Sequence, residues 1–250
     1  MVKIRNLFKN DEDVEIPEIV ENLCSERVIT MDFIDGFPIT SLKDIKKLNF
    51  SKPKIVKLLN KAYFKQIFQF GFFHADPHEG NIWLRPYKNL KNGKNNFKLV
   101  FLDHGSYVTF EDRIRFLYAR LWKSVLYRDH EETKRIGEEF GAKLNPGLFI
   151  SILSGRPYKD LISDIAQKKN ISGDKSKEYK QKIRLYALYK FQNNTELYLK
   201  CLQSMDRNVL MLFRTNNYLR TIENKLGIPI NPVQILFNYV QNTLYEEKMA

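Results

Sequence analysis

The octapeptide HADPHEGN at residues 74–81, followed by the apolar run Leu99-Val100-Phe101-Leu102 and then Asp103-His104-Gly105, holds two carboxylates and a carboxamide at spacings that suit phosphoryl transfer. Asp76 and Asn81 are five positions apart, and Asp103 follows twenty-two residues after Asn81. In such chemistry a carboxylate beside the incoming hydroxyl accepts its proton and orients it. An amide and a second carboxylate hold the magnesium ions that neutralise charge on the β- and γ-phosphates. Asp76 fits the base, and Asn81 and Asp103 fit the metal ligands. A zinc hydrolase is the rival chemistry, because His74, Asp76, His78, Asp103 and His104 are all possible zinc ligands. That alternative leaves Asn81 idle and finds no further His or Cys nearby to complete a shell. In the phosphotransfer reading His74 packs and orients backbone.

The segments that must position these groups are short and apolar. Residues 82–84 (Ile-Trp-Leu) and 99–102 read as two antiparallel strands, with the Lys- and Asn-rich stretch between them as an exposed connection. Such a hairpin would bring Asn81 at the start of one strand beside Asp103 at the end of the other. Gly105 is expected to permit the backbone turn that aims the Asp103 carboxylate. Residues 54–70 carry Ile55, Leu58, Leu59, Ala62, Ile67 and Phe70 at helical spacing and end at Gly71, which predicts a helix feeding the loop directly. Further helices are predicted over 111–127, 131–140, 180–191, 195–212, 217–226 and 233–245, with 168–177 as an exposed loop.

With these residues in view, the chain resembles the aarF/UbiB-like family of atypical kinases, whose catalytic loop usually reads HxDPHPGN and whose metal aspartate usually sits in DFG. It is most similar to the aarF-domain-containing subgroup that has DHG instead. The segment PEIVENLCSERVITMDFIDG at 17–36 resembles the run through the last amino-lobe strand into the hinge, and LMLFRTNNYLRTIENKLG at 210–227 resembles the subgroup's carboxy-terminal helices. The resemblance spans about residues 14–227. It implies an α+β, mostly α, protein-kinase-like fold: a C-lobe with a hinge strand and a truncated N-lobe. Residues 1–36 would be the remnant of amino lobe and hinge, 37–227 the C-lobe with family-specific helices, and 228–250 a terminal helix or tail. It also implies ATP and Mg2+ as cofactors, with Asp76 as base, Asn81 and Asp103 as metal ligands, and the hinge backbone at Asp32, Phe33 and Ile34 facing adenine. A mitochondrial location, and phosphotransfer or ATP hydrolysis linked to lipid and quinone homeostasis, are implied in the same way.

Three departures from the family pattern carry expectations of their own. Glu79 stands where the family has proline, and its charge beside the magnesium site is expected to weaken or reshape phosphate binding. His104 replaces phenylalanine, turning an apolar contact into a titratable one. No Gly-rich phosphate loop, strand lysine or Lys-x-Gly-Gln motif precedes the hinge segment, although a kinase needs that lysine and its glutamate partner. The expectation is therefore a carboxy-terminal lobe that turns over poorly by itself. The alternative is a non-catalytic binding module that uses a basic helical surface.

Composition sets the remaining bounds. A 250-residue chain with 43% hydrophobic and 13% aromatic residues can bury a sizeable core and is not disordered as a whole. Cys24 and Cys201 are too few for a disulfide framework. The net charge of +12 is concentrated in 85–98, which has five basic residues and no acid, and in 156–225, which has fifteen basic against seven acidic. The simple reading is a solvated loop and solvated helix faces; the functional one is attraction to an anionic membrane surface or lipid. Nucleic acid is not expected, since no recognition module accompanies the charge. Residues 226–245 lack charges but contain two prolines and several amides, so they do not read as a spanning helix, which needs about 20 predominantly apolar residues. The first fifteen residues have no apolar targeting core, so a mitochondrial signal would lie upstream.

Overall fold

The structure, a computed structural model, describes residues 1–88, 95–141, 149–150, 203–228 and 233–249. These fall into two units, Met1–Thr109 with Tyr218–Ile230, and Phe110–Asn217 with Asn231–Ala250. The first holds helix α1 (Val2–Phe8), strands β1 (Val14–Glu15) and β2 (Phe37–Pro38), helices α2 (Leu42–Lys47) and α3 (Lys52–Phe64), and strands β3 (Phe72–His74), β4 (Ile82–Lys88), β5 (Asn95–Phe101) and β6 (Tyr107–Thr109). The second holds α4 (Asp112–Tyr127) and α5 (His130–Glu139). Helix α6 (Arg207–Leu226) starts among the second unit's residues and ends among the first's, and α7 (Val233–Met249) belongs to the second. The outcome is α+β and mostly helical, as the residue patterns predict.

Helix α3 begins where Ser51 accepts the Lys54 N–H and Pro53 occupies the first turn, a position that needs no N–H. Its inner face buries Ile55, Val56, Leu59, Ala62 and Tyr63. The regular helix does not continue to residue 70 as its apolar spacing predicts. Residues Lys65–Gln69 form a single π turn, closed by Phe70 N–H to the Lys65 carbonyl at 3.0 Å. Such one-turn widenings collect at functional sites. Here the turn carries Gln66 inside, 1% exposed, before Gly71 reverses the chain at φ +57°.

Strands β1-β5-β4-β2 form one sheet and β3-β6 a second. The predicted hairpin is β4 and β5, antiparallel with Ile82 opposite Phe101 and Leu84 opposite Leu99. Both strands run further than their apolar residues, through 85–88 and 95–98, because ladder hydrogen bonds need backbone rather than hydrophobic side chains. Burial alternates along β4, with Ile82 and Leu84 inward. The inward residues join Ile4, Phe8, Ile39, Ile45, Phe97, Leu219, Ile222 and Leu226 in one hydrophobic cluster.

Two expectations need correction. The segment 17–36, read as running through a strand into a hinge, forms only isolated bridges, Ile19 with Met31 and Ser25 with Val28, supported by Asp32 N–H to the Glu18 carbonyl. The two legs of 18–32 pair with each other over too few residues to make a strand. The predicted separation of a helix ending at 212 from one starting at 217 is also absent, because α6 is continuous from 207 to 226. Leu212, Phe213, Thr215 and Leu219 are all buried, so the apolar face carries the helix across the polar Asn216-Asn217 pair.

In the second unit Glu111 precedes α4, and Arg128 ends it in the left-handed region at φ 61°. Asp129 caps α5 by accepting the Glu132 N–H at 3.0 Å. Gly141, at φ +82°, stops the chain after α5, and a Cβ there would collide with the Ser204 carbonyl. Buried Arg115 of α4 is held by Glu246 of α7 and by Asp112. The predicted loop at 168–177, the helix at 180–191, the first eight residues of the helix at 195–212 and much of the basic stretch lie outside the described residues. Among the described residues no helix is long and apolar enough to cross a membrane.

Candidate active site

Two antiparallel ladders frame the site. His74 at the end of β3 pairs with Tyr107 at the start of β6, and Ile82 at the start of β4 pairs with Phe101 at the end of β5. The connections 75–81 and 102–106 are thereby pinned at both ends and lie against each other. Ala75 N–H donates to the Ser106 carbonyl and Leu102 N–H to the Asn81 carbonyl, both at 3.0 Å.

Within this frame the octapeptide folds on itself. His78 N–H donates to the Asp76 carbonyl at 2.9 Å and Asn81 N–H to the His78 carbonyl at 3.0 Å. The Asn81 side chain, buried at 8% exposure, donates its amide Nδ2 to the Asp76 carbonyl and to Asp103 Oδ2, each at 3.3 Å. Both partners are acceptors only, which fixes the orientation of the carboxamide and leaves Oδ1 available to a cation. Gly105 N–H donates to Asp103 Oδ1 at 2.9 Å. The chain bends at Gly105 as expected, outside the left-handed region that Gly71, Gly141 and Gly227 adopt among the described residues, and a Cβ at Gly105 would sit 3.3 Å from the same oxygen. Asp76, Asn81 and Asp103 are thus linked by direct hydrogen bonds. Asp32, Phe33 and Ile34 lie in the connection between the Met31 bridge and β2, whose Phe37 pairs with Leu84 of β4.

The donor set suits magnesium. Its atoms are carboxylate and carboxamide oxygens, and magnesium is held by one or two protein oxygens while keeping waters and phosphate oxygens for the rest of its shell. Zinc is served less well. Both ring nitrogens of His104 are engaged, Nδ1 with the Tyr107 hydroxyl at 2.8 Å and Nε2 with the Phe101 carbonyl at 3.1 Å. His78 Nδ1 accepts the Gly80 N–H at 3.1 Å. Among the described residues no three His, Cys, Asp or Glu side chains converge as a metal-binding group.

The histidines serve the scaffold. His74 is 1% exposed, with its ring edge-on to Tyr107 and its Nδ1 3.5 Å from the Tyr63 hydroxyl. Burial lowers its pKa, against the pull of Asp103 and Asp76. His104 lies parallel to the Tyr107 ring. Burial first, with the neighbouring His74 in the same direction, lowers its pKa to about 4, so it is neutral at physiological pH. A carbonyl can only accept, so His104 carries its proton on Nε2, and its Nδ1 accepts the Tyr107 O–H. The substitution of His for Phe therefore adds a neutral hydrogen-bonded ring rather than a charge.

Glu79 is compensated as well. Its Oε2 accepts from the Thr40 hydroxyl at 3.0 Å and its Oε1 pairs with Lys225 Nζ at 2.6 Å. The Lys225 hydrogen bond, opposed by burial and helped by Thr40, lowers its pKa.

Gln66 is a site residue that motif reading passes over. Its Oε1 accepts the His74 N–H at 2.9 Å and so fixes the backbone where the loop begins. The signal was present: four residues after Ala62, a glutamine falls on the apolar face of the helix predicted over 54–70.

Residues 1–137 match the ABC1 atypical kinase-like domain. A putative ABC1 protein of Arabidopsis thaliana is 34% identical over 245 residues, covering 96% of this chain and 44% of the relative. AarF domain-containing kinase 1 of Drosophila melanogaster is 31% identical, covering 90% and 41%, and AarF domain-containing protein kinase 1 of the mouse is 29% identical, covering 90% and 40%. The chain spans about four tenths of the length of these curated relatives. A domain match over more than half of the chain, together with relatives aligned across nearly all of it, means that this chain belongs to the ABC1 atypical kinase-like family.

Proposed function

We propose that this chain carries the base and metal ligands of an ATP-dependent phosphotransferase or ATPase, with Asp76, Asn81 and Asp103 in those roles. The observation that carries the reading is the bridge from Asn81 to Asp103 at 3.3 Å across the two loops, with the same amide also held by the Asp76 carbonyl. Asp76 would take the proton of the attacking hydroxyl or water. Asn81 Oδ1 and the exposed Asp103 carboxylate would hold Mg2+, which neutralises charge on the nucleotide's phosphates. The Gly105 N–H keeps Asp103 aimed, and Gln66 keeps the loop's first residue in place.

The lobe assignment belongs to the same proposal. Residues 37–227 would be a kinase-like C-lobe, 1–36 the tail of an amino lobe with its hinge, and 228–250 a terminal segment. Glu18 already takes the Asp32 N–H, which leaves adenine recognition to the Asp32 carbonyl and the Phe33–Ile34 backbone. Phe33 is 89% exposed there while Ile34 anchors the segment at 6%. Two Dictyostelium relatives are called probable serine/threonine-protein kinases, which agrees with phosphotransfer. Family membership supports a mitochondrial location and a link to lipid or quinone homeostasis. An anionic lipid surface is the partner proposed for the basic stretch.

Equilibrium binding of a fluorescent ATP analogue, with and without Mg2+, tests the reading. Magnesium-dependent binding that is lost in Asp103→Ala supports it. A folded chain that binds no nucleotide replaces it with the non-catalytic binding module.

A further inference from the structure

We infer that Lys225 and Glu79 form a positioning pair that holds the loop bearing Asp76 and Asn81 from the end of α6, an inference that rests on the function proposed above. Glu79 stands three residues after Asp76 and two before Asn81, within the loop that must stay fixed for both to act. Its two carboxylate oxygens are divided between two anchors, the Thr40 hydroxyl at 3.0 Å and Lys225 Nζ at 2.6 Å.

Each anchor is held by buried structure. Thr40 follows Ile39, which is fully buried and donates its N–H to the Ile82 carbonyl at the base of β4 at 2.9 Å. Lys225 precedes Leu226, 1% exposed, on the turn where Glu223 accepts from the buried amide of Asn60 at 2.7 Å. The last turn of α6 is thus fixed to α3 by one acid and to the loop by one base. Glu79 belongs to the octapeptide, while its cation comes from 146 residues later in the chain. Lys225 and Glu79 are each about half exposed, so the pair contributes little to global stability and yields to salt. Its effect is local, on the placement of the loop.

The test uses the 250-residue chain and the variants Lys225→Met, Glu79→Gln and the charge reversal Glu79→Lys with Lys225→Glu. Hydrogen exchange at the Asn81 and Leu102 amides reports the loop without nucleotide, and Mg-ATP affinity reports its use. Each single variant is expected to raise exchange at these amides and weaken Mg-ATP binding about two- to fivefold, the range open to an exposed pair. The melting temperature should stay within about a degree, charge reversal should restore much of both signals, and 1 M NaCl should bring the parent chain to the level of the single variants. Unchanged exchange in both single variants overturns the pair. Raised exchange with unchanged affinity overturns its positioning role. A parent chain that shows the exchange effect yet binds no Mg-ATP overturns the function on which the inference rests, and the positioning role with it.

Discussion

Replacing His104 by phenylalanine should change how stability responds to acid more than it changes stability at neutral pH. His104 gives up two hydrogen bonds in this variant, one to the Phe101 carbonyl and one from the Tyr107 hydroxyl. At about 1 kcal/mol each, partly replaced by water at the half-buried Tyr107, the cost at pH 7.5 is about 1–2 kcal/mol. Acid adds a second effect. The imidazole pKa falls from the ordinary 6.5 to about 4 in the folded chain, chiefly because burial disfavours the charged ring. Between those two values the unfolded chain binds a proton that the folded chain does not, so folding weakens as pH drops and the loss is complete below about 4. At about 1.36 kcal/mol per pH unit the limit is about 3.4 kcal/mol, and partial exposure of the ring brings the expected figure to about 1–2 kcal/mol. The phenylalanine variant lacks this loss. Urea unfolding at pH 7.5, 5.5 and 4.5 and constant ionic strength should show the variant less stable at pH 7.5 and equal to the parent, or better, at pH 4.5. A parent-minus-variant difference that stays constant within about 0.3 kcal/mol over this range refutes the buried, neutral imidazole.

Gln66→Ala leaves the buried His74 N–H without its acceptor and opens a small cavity; a loss of about 2–4 kcal/mol and faster exchange of the His74 amide are expected by denaturant melts and hydrogen exchange. Asp11→Asn removes the carboxylate paired with Lys65 at 2.8 Å, where Asp11 is only 8% exposed. Burial raises the Asp11 pKa, but the Lys65 hydrogen bond, the Asp13 N–H and nearby lysines bring it below the ordinary 3.8, so its contribution is present above that value and fades as pH falls through the lower native one. The variant should lose about 1–3 kcal/mol at pH 7 and progressively less below pH 4, measured by thermal unfolding. Gly36→Ala would bring a Cβ to 2.7 Å from the Leu84 carbonyl, so the pairing of β2 with β4 must shift, and a loss of about 1–3 kcal/mol is expected by calorimetry.

The parts of this protein that were legible in its sequence are those written locally. The short apolar runs at 82–84 and 99–102 set the hairpin, and the hairpin brings Asn81 to Asp103. The face of α3 was readable from its spacing, but the π turn was not, because a widened turn depends on what Gln66 and Phe68 meet inside the fold. The continuity of α6 was hidden by two asparagines whose weak helix propensity is overridden by buried neighbours. The bend at Gly105 was readable, but the use of its N–H and of its missing Cβ against Asp103 was not, because both depend on where the Asp103 carboxylate lies. The charge of Glu79 looked costly beside a metal site because Lys225 lies too far along the chain for any local pattern to pair them. For His104, residue type revealed a titratable ring, and only burial revealed that it stays neutral.

The central claim is that Asn81 and Asp103 hold the metal of a bound nucleotide. Adding Mn2+ with ATP to the isotopically labelled chain and recording paramagnetic broadening tests it most directly. Broadening should centre on the Asn81 side-chain amide and the Asp103 and Gly105 backbone amides, require ATP, and disappear in Asp103→Ala. Broadening that spares these signals, or that persists unchanged in the variant, contradicts the account.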